Sequence, residues 1–331
     1  MIGNQWYAIA PEKLIPPGKM IGLKRLGKDL LIFQTVDGKW GCLEDLCSHR
    51  GVKLSAGKLK EDGCVECPFH GLRFSTMGKC TQIPANGKSS VVDERYNVRN
   101  YAIQVKHGII YVFYGDKNLA TSEVPFFSEF LDDNFVYSEI ADTWDTHYSR
   151  AIENQLDVVH LPFVHHNTIG RGNKTLVHGP KTIVIEDTII TSSDNEVDHG
   201  QRQRKPQECE VNPDMQLRFK YPNIWINVIA KKIKVFVYFA PIDDEQVILY
   251  LRFYNHITPF RWLNRVIGYF GKYANLMIER QDKRVVNTQR PKRTQLRMGE
   301  KLIQGDQPIV MYRKLREDLI EAAKGSQPWN F

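Results

Sequence analysis

The 331-residue chain has no uninterrupted apolar run long enough to span a bilayer; its nearest approach, residues 260–277, is broken by Arg261, Arg265 and Lys272. Residues 1–10 lack the basic flank and apolar core of a secretory signal, so a cytoplasmic location and no membrane partner are expected. No G-x-G-x-x-G follows an expected strand, which leaves the chain without a flavin or nicotinamide signature of its own. Cysteine is sparse: six residues give no evident disulfide framework and agree with a reducing compartment. The net charge of +7 is small for this length. Its densest basic cluster, around Lys283, Arg284, Arg290, Lys292 and Arg293, has no interleaved aromatics, so nucleic acid is not an expected partner. Internal repeats and low-complexity tracts are also missing. What remains is the composition of an ordinary globular protein, 42% hydrophobic and 25% charged, at a length that predicts two domains.

The informative stretch is a short loop written twice, Cys47-Ser48-His49-Arg50-Gly51 and Cys67-Pro68-Phe69-His70-Gly71. Two thiolates suit one iron of a [2Fe-2S] cluster and two neutral imidazoles suit the other. The glycines and Pro68 let the backbone turn so that its N–H groups approach the sulfurs. A zinc site built from Cys64, Cys67, Cys47 and His49 is the competing reading. It leaves His70 unused and gives Gly51 and Gly71 no role. Cys42, Cys64 and Cys80 read as buried or strand residues, with a Cys64–Cys80 disulfide left open.

Around these loops, short apolar runs alternate with turn signals over residues 5–43, including Asp37-Gly38, and again at 72–74, 79–83, 97–106 and 109–114. This spacing predicts an antiparallel β domain over residues 1–120. In the second domain, residues 121–331, a strand is expected at 136–147 and a helix at 148–166. Strands are then expected at 182–191, 216–219, 224–228, 235–240 and 246–254, with a charged loop at 194–207. Helices at 259–290 and 307–324 complete an α+β fold in which a curved antiparallel sheet is gripped by helices, a container for a small molecule.

Within 148–166, Asn154, Asp157 and His160 recur at intervals of three and would share one helical face, while Pro162 would bend the chain and return His165 towards His160. Two histidines so held need one carboxylate to form the 2-His-1-carboxylate triad of non-haem Fe(II) proteins, which leaves positions open for O2. Satisfied structural histidines are the plainer reading. The metal is favoured because an electron relay upstream in the chain needs an acceptor.

The C-x-H-R-G and C-P-F-H-G loops, followed by N-x-x-D-x-x-H-x-x-x-x-H, resemble the oxygenase component (α subunit) of Rieske non-haem iron oxygenases, in their short monooxygenase and demethylase branch. The resemblance implies an all-β Rieske [2Fe-2S] domain ahead of a helix-grip catalytic domain with a long C-terminal helix. It implies a third iron ligand on that helix, with Asp282 the choice, Glu279 the competitor, and His166 a weaker candidate than His165. Asp157 would accept the N–H of His160 and bridge to His49 or His70 of a neighbouring chain in a head-to-tail homotrimer, and Asn154 would point at the iron. Electrons would come from a separate reductase, directly or through a ferredoxin, for monooxygenation, meaning hydroxylation or oxidative O- or N-demethylation. Aromatic cis-dihydroxylation and a Rieske electron carrier without substrate chemistry are the alternatives. Pocket walls are expected among Trp225, Asn227, Phe236, Tyr238 and Tyr250, with no means of telling which face of the sheet each occupies.

Overall fold

The computed structural model describes residues 1–324, and the chain divides into two compact units, Gly3–Val124 and the residues from Pro125 onward. The first unit contains β1 (Gln5–Pro11), β2 (Lys19–Arg25), β3 (Lys28–Gln34), β4 (Trp40–Glu44), β5 (Lys58–Leu59), β6 (Val65–Glu66), β7 (Arg73–Phe74), β8 (Cys80–Gln82), β9 (Ile103–Lys106) and β10 (Ile109–Tyr114). They form three antiparallel sheets in the orders β1-β10-β9, β2-β3-β4 and β5-β6-β7-β8. Gly38, at φ 85°, turns β3 into β4. Leu31, Phe33, Leu43, Leu54, Val65 and Phe74 are fully buried and make the floor on which the two Cys loops stand. One clamp sets the first loop: the buried Asp45 carboxylate accepts the Ser55 backbone N–H at 2.7 Å and the Ser55 hydroxyl at 2.6 Å. Gly22 on β2 makes room for it, since a Cβ there would lie 2.7 Å from Ser55 Oγ.

The second unit contains β11 (Val136–Trp144), α1 (Tyr148–Leu156), α2 (Leu161–Val164), β12 (Leu176–Ile185), β13 (Thr188–Glu196), β14 (Gln216–Lys220), β15 (Ile224–Ala230), β16 (Ile233–Pro241), β17 (Val247–Asn255), α3 (Arg261–Val286) and α4 (Gln307–Ala322). Its strands make one antiparallel sheet in the order β11-β17-β16-β15-β14-β13-β12. The helix α3 lies on the β11–β17 end, where Gly268 sits against Ser138 and Asn255 and Gly271 against Phe253. A Cβ would come within 2.7 Å of Ser138 at Gly268 and of Phe253 at Gly271, so the small residues set how closely helix and sheet approach. At the far end α4 packs on β12 and β13. The fold is thus α+β, a helix-gripped antiparallel sheet following an all-β unit. No helix among the described residues is long and apolar enough to cross a membrane.

Three expectations fail locally. Residues 182–191 are not one strand but the end of β12 and the start of β13, joined at Glu186 and Asp187, with Glu186 at φ 53°. Asp187 is the turn's one turn-forming residue, and without Gly, Asn or Pro beside it inside a β-branched run its signal is weak. Residues 194–196, expected in a loop, continue β13. The helix expected over 148–166 ends at Leu156, for a reason that belongs to the site.

Candidate metal centres

The two loops of the first unit are built alike. The Cys47 N–H donates to the Val52 carbonyl at 2.8 Å and the Gly51 N–H returns to the Cys47 carbonyl at 2.9 Å; the Cys67 N–H donates to Leu72 at 2.8 Å and the Gly71 N–H to Cys67 at 3.1 Å. Both turns need φ near +70°, at Gly51 and Gly71, which glycine adopts without strain. Cys47 and Cys67 are buried with their thiols against one another. Burial pushes the Cys47 thiol up to about 11, while the backbone N–H groups of His49 and Arg50 favour its thiolate. His49 and His70 are exposed, their ring centroids 4.7 Å apart. A sulfur pair inside and an imidazole pair outside fit a two-iron cluster, whose four ligands divide between two metal ions. Among the described residues no third His, Cys, Asp or Glu joins either pair within single-ion reach, so the zinc set is not assembled. Cys64 and Cys80 are free thiols.

In the second unit, α1 carries Asn154 and stops because Asp157 leaves the helix at φ −71°, ψ 128°. Its Oδ1 accepts the backbone N–H groups of Val159, at 2.6 Å, and His160, at 3.3 Å. An aspartate that caps the turn after it competes with helix continuation. Asn154, Asp157 and His160 therefore do not share a helical face. His160 instead opens α2, Pro162 occupies its first turn, and His165 follows its end. Asp282 arrives from α3.

Three donor atoms then converge. His160 Nε2 and His165 Nε2 are 3.2 Å apart, and Asp282 Oδ1 lies 3.3 Å from the first and 3.0 Å from the second. A metal about 2.1 Å from each of three ligands at right angles requires edges of about 3.0 Å. Asp282 Oδ1 is buried and accepts no well-formed hydrogen bond, so the residues fit a cation shared by all three atoms and lying to one side of the triangle's plane. Burial disfavours the charged form of His160, but Asp157 and Asp282 outweigh it and raise His160 to about 9; both histidines hold Asp282 below the usual carboxylate range.

Other candidates lie elsewhere. Glu279 is buried one turn back on α3, its carboxyl accepting from Gln155 Nε2 at 3.3 Å. Burial and the nearby Asp282 and Asp142 charges push its pKa well up. His166 is exposed and pairs with the Phe163 carbonyl. The buried Asn154 Nδ2 and His160 Nδ1 have no hydrogen-bond partner, and Asp157 Oδ2 is 3.7 Å from His160 Nδ1, beyond hydrogen-bond reach. Asp157 thus receives the backbone N–H of His160 rather than its ring N–H.

Sequence reading missed Gln281. Its Oε1 stands 2.8 Å from His165 Nδ1, while Thr168 Oγ1 donates to that same oxygen at 2.9 Å and Gln281 Nε2 donates to Asn167 at 3.1 Å. These contacts fix the amide so that an oxygen faces His165, making Nδ1 the donor and leaving the Nε2 lone pair for the triangle. No sequence pattern marks a glutamine beside a candidate ligand. Gln281→Leu should weaken metal binding by roughly ten- to a hundredfold, with Gln281→Glu restoring most of it, as read by iron titration. Gly170 is a second such position: a Cβ there would lie 1.9 Å from the Leu161 carbonyl oxygen. Gly170→Ala should displace α2, costing about 2 kcal/mol in chemical unfolding together with part of the bound iron.

The sheet register divides the residues expected at the pocket between two faces. Tyr238 pairs with Ile224 and Tyr250, placing Phe236, Tyr238 and Tyr250 on one face; Trp225, Asn227 and Val237 occupy the other, with Leu251 and Phe253. Phe253 touches Gly271 of α3, so Trp225 and Asn227 are on the face of the helix that carries Asp282. Phe236 and Tyr238 are fully buried on the opposite side, where Phe236 stacks on Phe126.

Residues 5–102 match the Rieske [2Fe-2S] domain and residues 144–322 the vanillate O-demethylase oxygenase C-terminal domain. The chain is 32% identical to protein TIC 55, chloroplastic, of Pisum sativum over 168 residues, 50% of this chain and 30% of that protein. It is 29% identical to the vanillate O-demethylase oxygenase subunit of Pseudomonas sp. over 192 residues, 57% of this chain and 52% of that one. It therefore spans only part of the curated relatives it matches. The fold is shared with a mutant of Pseudomonas putida NdmA solved with caffeine, at TM-score 0.77 and 20% identity over 98% of this chain and 92% of that one. Dicamba monooxygenase bound to dicamba matches at TM-score 0.73 and 17% identity over 98% and 99%.

Proposed function

Because this chain belongs to the Rieske non-haem iron oxygenases, its second unit to the vanillate O-demethylase oxygenase family, we propose that it monooxygenates a small organic substrate. The reading covers hydroxylation and oxidative O- or N-demethylation. The observation that carries it is the triangle of His160, His165 and Asp282 in a chain that also holds a Rieske domain. Cys47, His49, Cys67 and His70 would hold the [2Fe-2S] cluster, and the triad a ferrous ion. When bound, these groups supply single electrons and the activation of O2.

The protein's own part is positioning. Gln281 presents the His165 lone pair, Asp157 fixes the His160 turn through two backbone N–H groups, and the unpaired Asn154 Nδ2 is a donor for substrate or solvent. Trp225 and Asn227, on the α3 face, are the pocket walls of this reading, with the buried Trp225 indole N–H free to bond a polar substrate atom. Electrons come from a separate reductase or ferredoxin. A cleft of about 460 Å³ is lined by Arg280, Arg284, Asn287 and the Lys283–Asp142 ion pair, and the two arginines would suit the acidic surface of such a partner. A cytoplasmic homotrimer with Asp157 bridging to His49 or His70 of the next chain completes the proposal. A demethylase match over the second unit favours monooxygenation over cis-dihydroxylation, and a bare electron carrier would leave that unit without a role.

Anaerobic reconstitution tests this directly. About three iron and two sulfide ions per chain are expected, with the paramagnetic signal of a reduced Rieske centre. Isotopically labelled O2, supplied with a reductase and methoxy- or N-methyl aromatic compounds, should deliver one labelled atom per turnover. Iron that stops at the cluster's own complement would remove the oxygenase reading.

A further inference from the structure

The outer face of α3 is apolar and unpartnered. Trp262, Val266, Tyr269, Phe270, Tyr273 and Met277 are all exposed, Trp262 by 65% and Phe270 by 67%. Their spacing of three and four places them within an arc of about 100° that runs some 22 Å along the helix. Scattered exposed apolar residues are ordinary, whereas a continuous stripe of this size marks an interaction surface. Residues 261–278 contain no Asp or Glu. The exposed Arg265 and Arg280 stand on the same helix, and Lys272 lies over the Tyr269 and Tyr273 rings at 4.9 and 5.1 Å.

We propose that this face docks the protein on an anionic lipid surface, with α3 lying in the interface plane. Large aromatic rings with lysines and arginines beside them, and no acid along the helix between residues 261 and 278, are what the boundary between headgroups and acyl chains accepts. A two-fold contact with a second copy fits less well, since it would set the stripe against itself and bring together the like charges of α3, which has no Asp or Glu over residues 261–278; a head-to-tail contact would instead set it against a different surface, and the sedimentation measurement below separates that case. The expectation of no membrane partner rested on the lack of a spanning segment, and a helix lying in the interface needs none. The inference stands apart from the iron chemistry and is read without turnover.

The test is co-sedimentation of the full-length, cluster-loaded protein with phosphatidylcholine vesicles, with and without phosphatidylglycerol. Binding should require the anionic lipid and weaken with salt. Trp262→Ser with Phe270→Ser should reduce partitioning by at least about tenfold, with iron content and sedimentation coefficient unchanged. Arg265→Glu with Lys272→Glu should abolish the preference for anionic lipid. Absence of wild-type binding to anionic vesicles would overturn the proposal. So would undiminished binding by the Trp262/Phe270 variant, or an oligomer that dissociates in that variant while vesicle binding does not change, which would make the stripe a subunit interface.

Discussion

Asp282→Ala should cost the protein one iron per chain and at least about a thousandfold in product formation, because several kcal/mol of transition-state stabilisation leave with the ion. The cluster's colour and paramagnetic signal should persist, since none of its ligands is touched. Glu279→Gln is the matched comparison. Both carboxyls are buried on α3, but Asp282 Oδ1 stands 3.0 and 3.3 Å from the two histidine nitrogens, while Glu279 bonds to Gln155 with its pKa pushed up by burial. A carboxyl already favouring its neutral form loses little on becoming an amide. Full iron retention in Asp282→Ala, or its loss in Glu279→Gln, would reverse the assignment. The sign of the pH dependence follows from the same atoms. In the metal-free triad His160 is raised to about 9 and Asp282 lowered, so below about 9 iron must displace a proton from His160. Iron affinity should rise with pH towards that value, as read by metal titration at several pH values.

Converting both exposed imidazoles to thiolates, His49→Cys with His70→Cys, should lower the cluster potential by roughly 250 mV or more, towards the range of all-cysteine clusters. Two added negative charges stabilise the oxidised form. At about 59 mV per decade for one electron, that shift alters the equilibrium with a fixed donor by about four orders of magnitude. Reductase-driven turnover should nearly stop while the second iron stays bound. The exchange is mild structurally, because His49 and His70 are exposed whereas Cys47 and Cys67 belong to the buried core of the first unit. Potentiometric titration decides the outcome, and an unchanged potential would mean that the two histidines do not carry the iron.

Much of this was legible in the linear chain because its causes are local. Each Cys-x-His or Cys-x-x-His loop closes on its own glycine through bonds that span only a few residues, as in Cys47 to Gly51 and Cys67 to Gly71. Period-two alternation marks most strands, and the α3 and α4 patterns mark their helices. Local chemistry also explains the errors. The turn at Glu186 and Asp187 offers a single turn-forming residue inside a β-branched run, and at Asp157 a side chain that fits a helical pattern instead captures two backbone N–H groups and ends the helix.

By itself, then, the sequence determined the pairing of Cys and His in twin loops and the candidacy of His160 and His165, both of which follow from short-range spacing. Only the tertiary structure showed which of Asp282 and Glu279, one helical turn apart and chemically alike, α3 turns towards two histidines more than a hundred residues away. It alone revealed Gln281 behind His165 and divided the aromatic residues between the two faces of the sheet. Long-range register and helix rotation are properties of packing, and no local pattern encodes them.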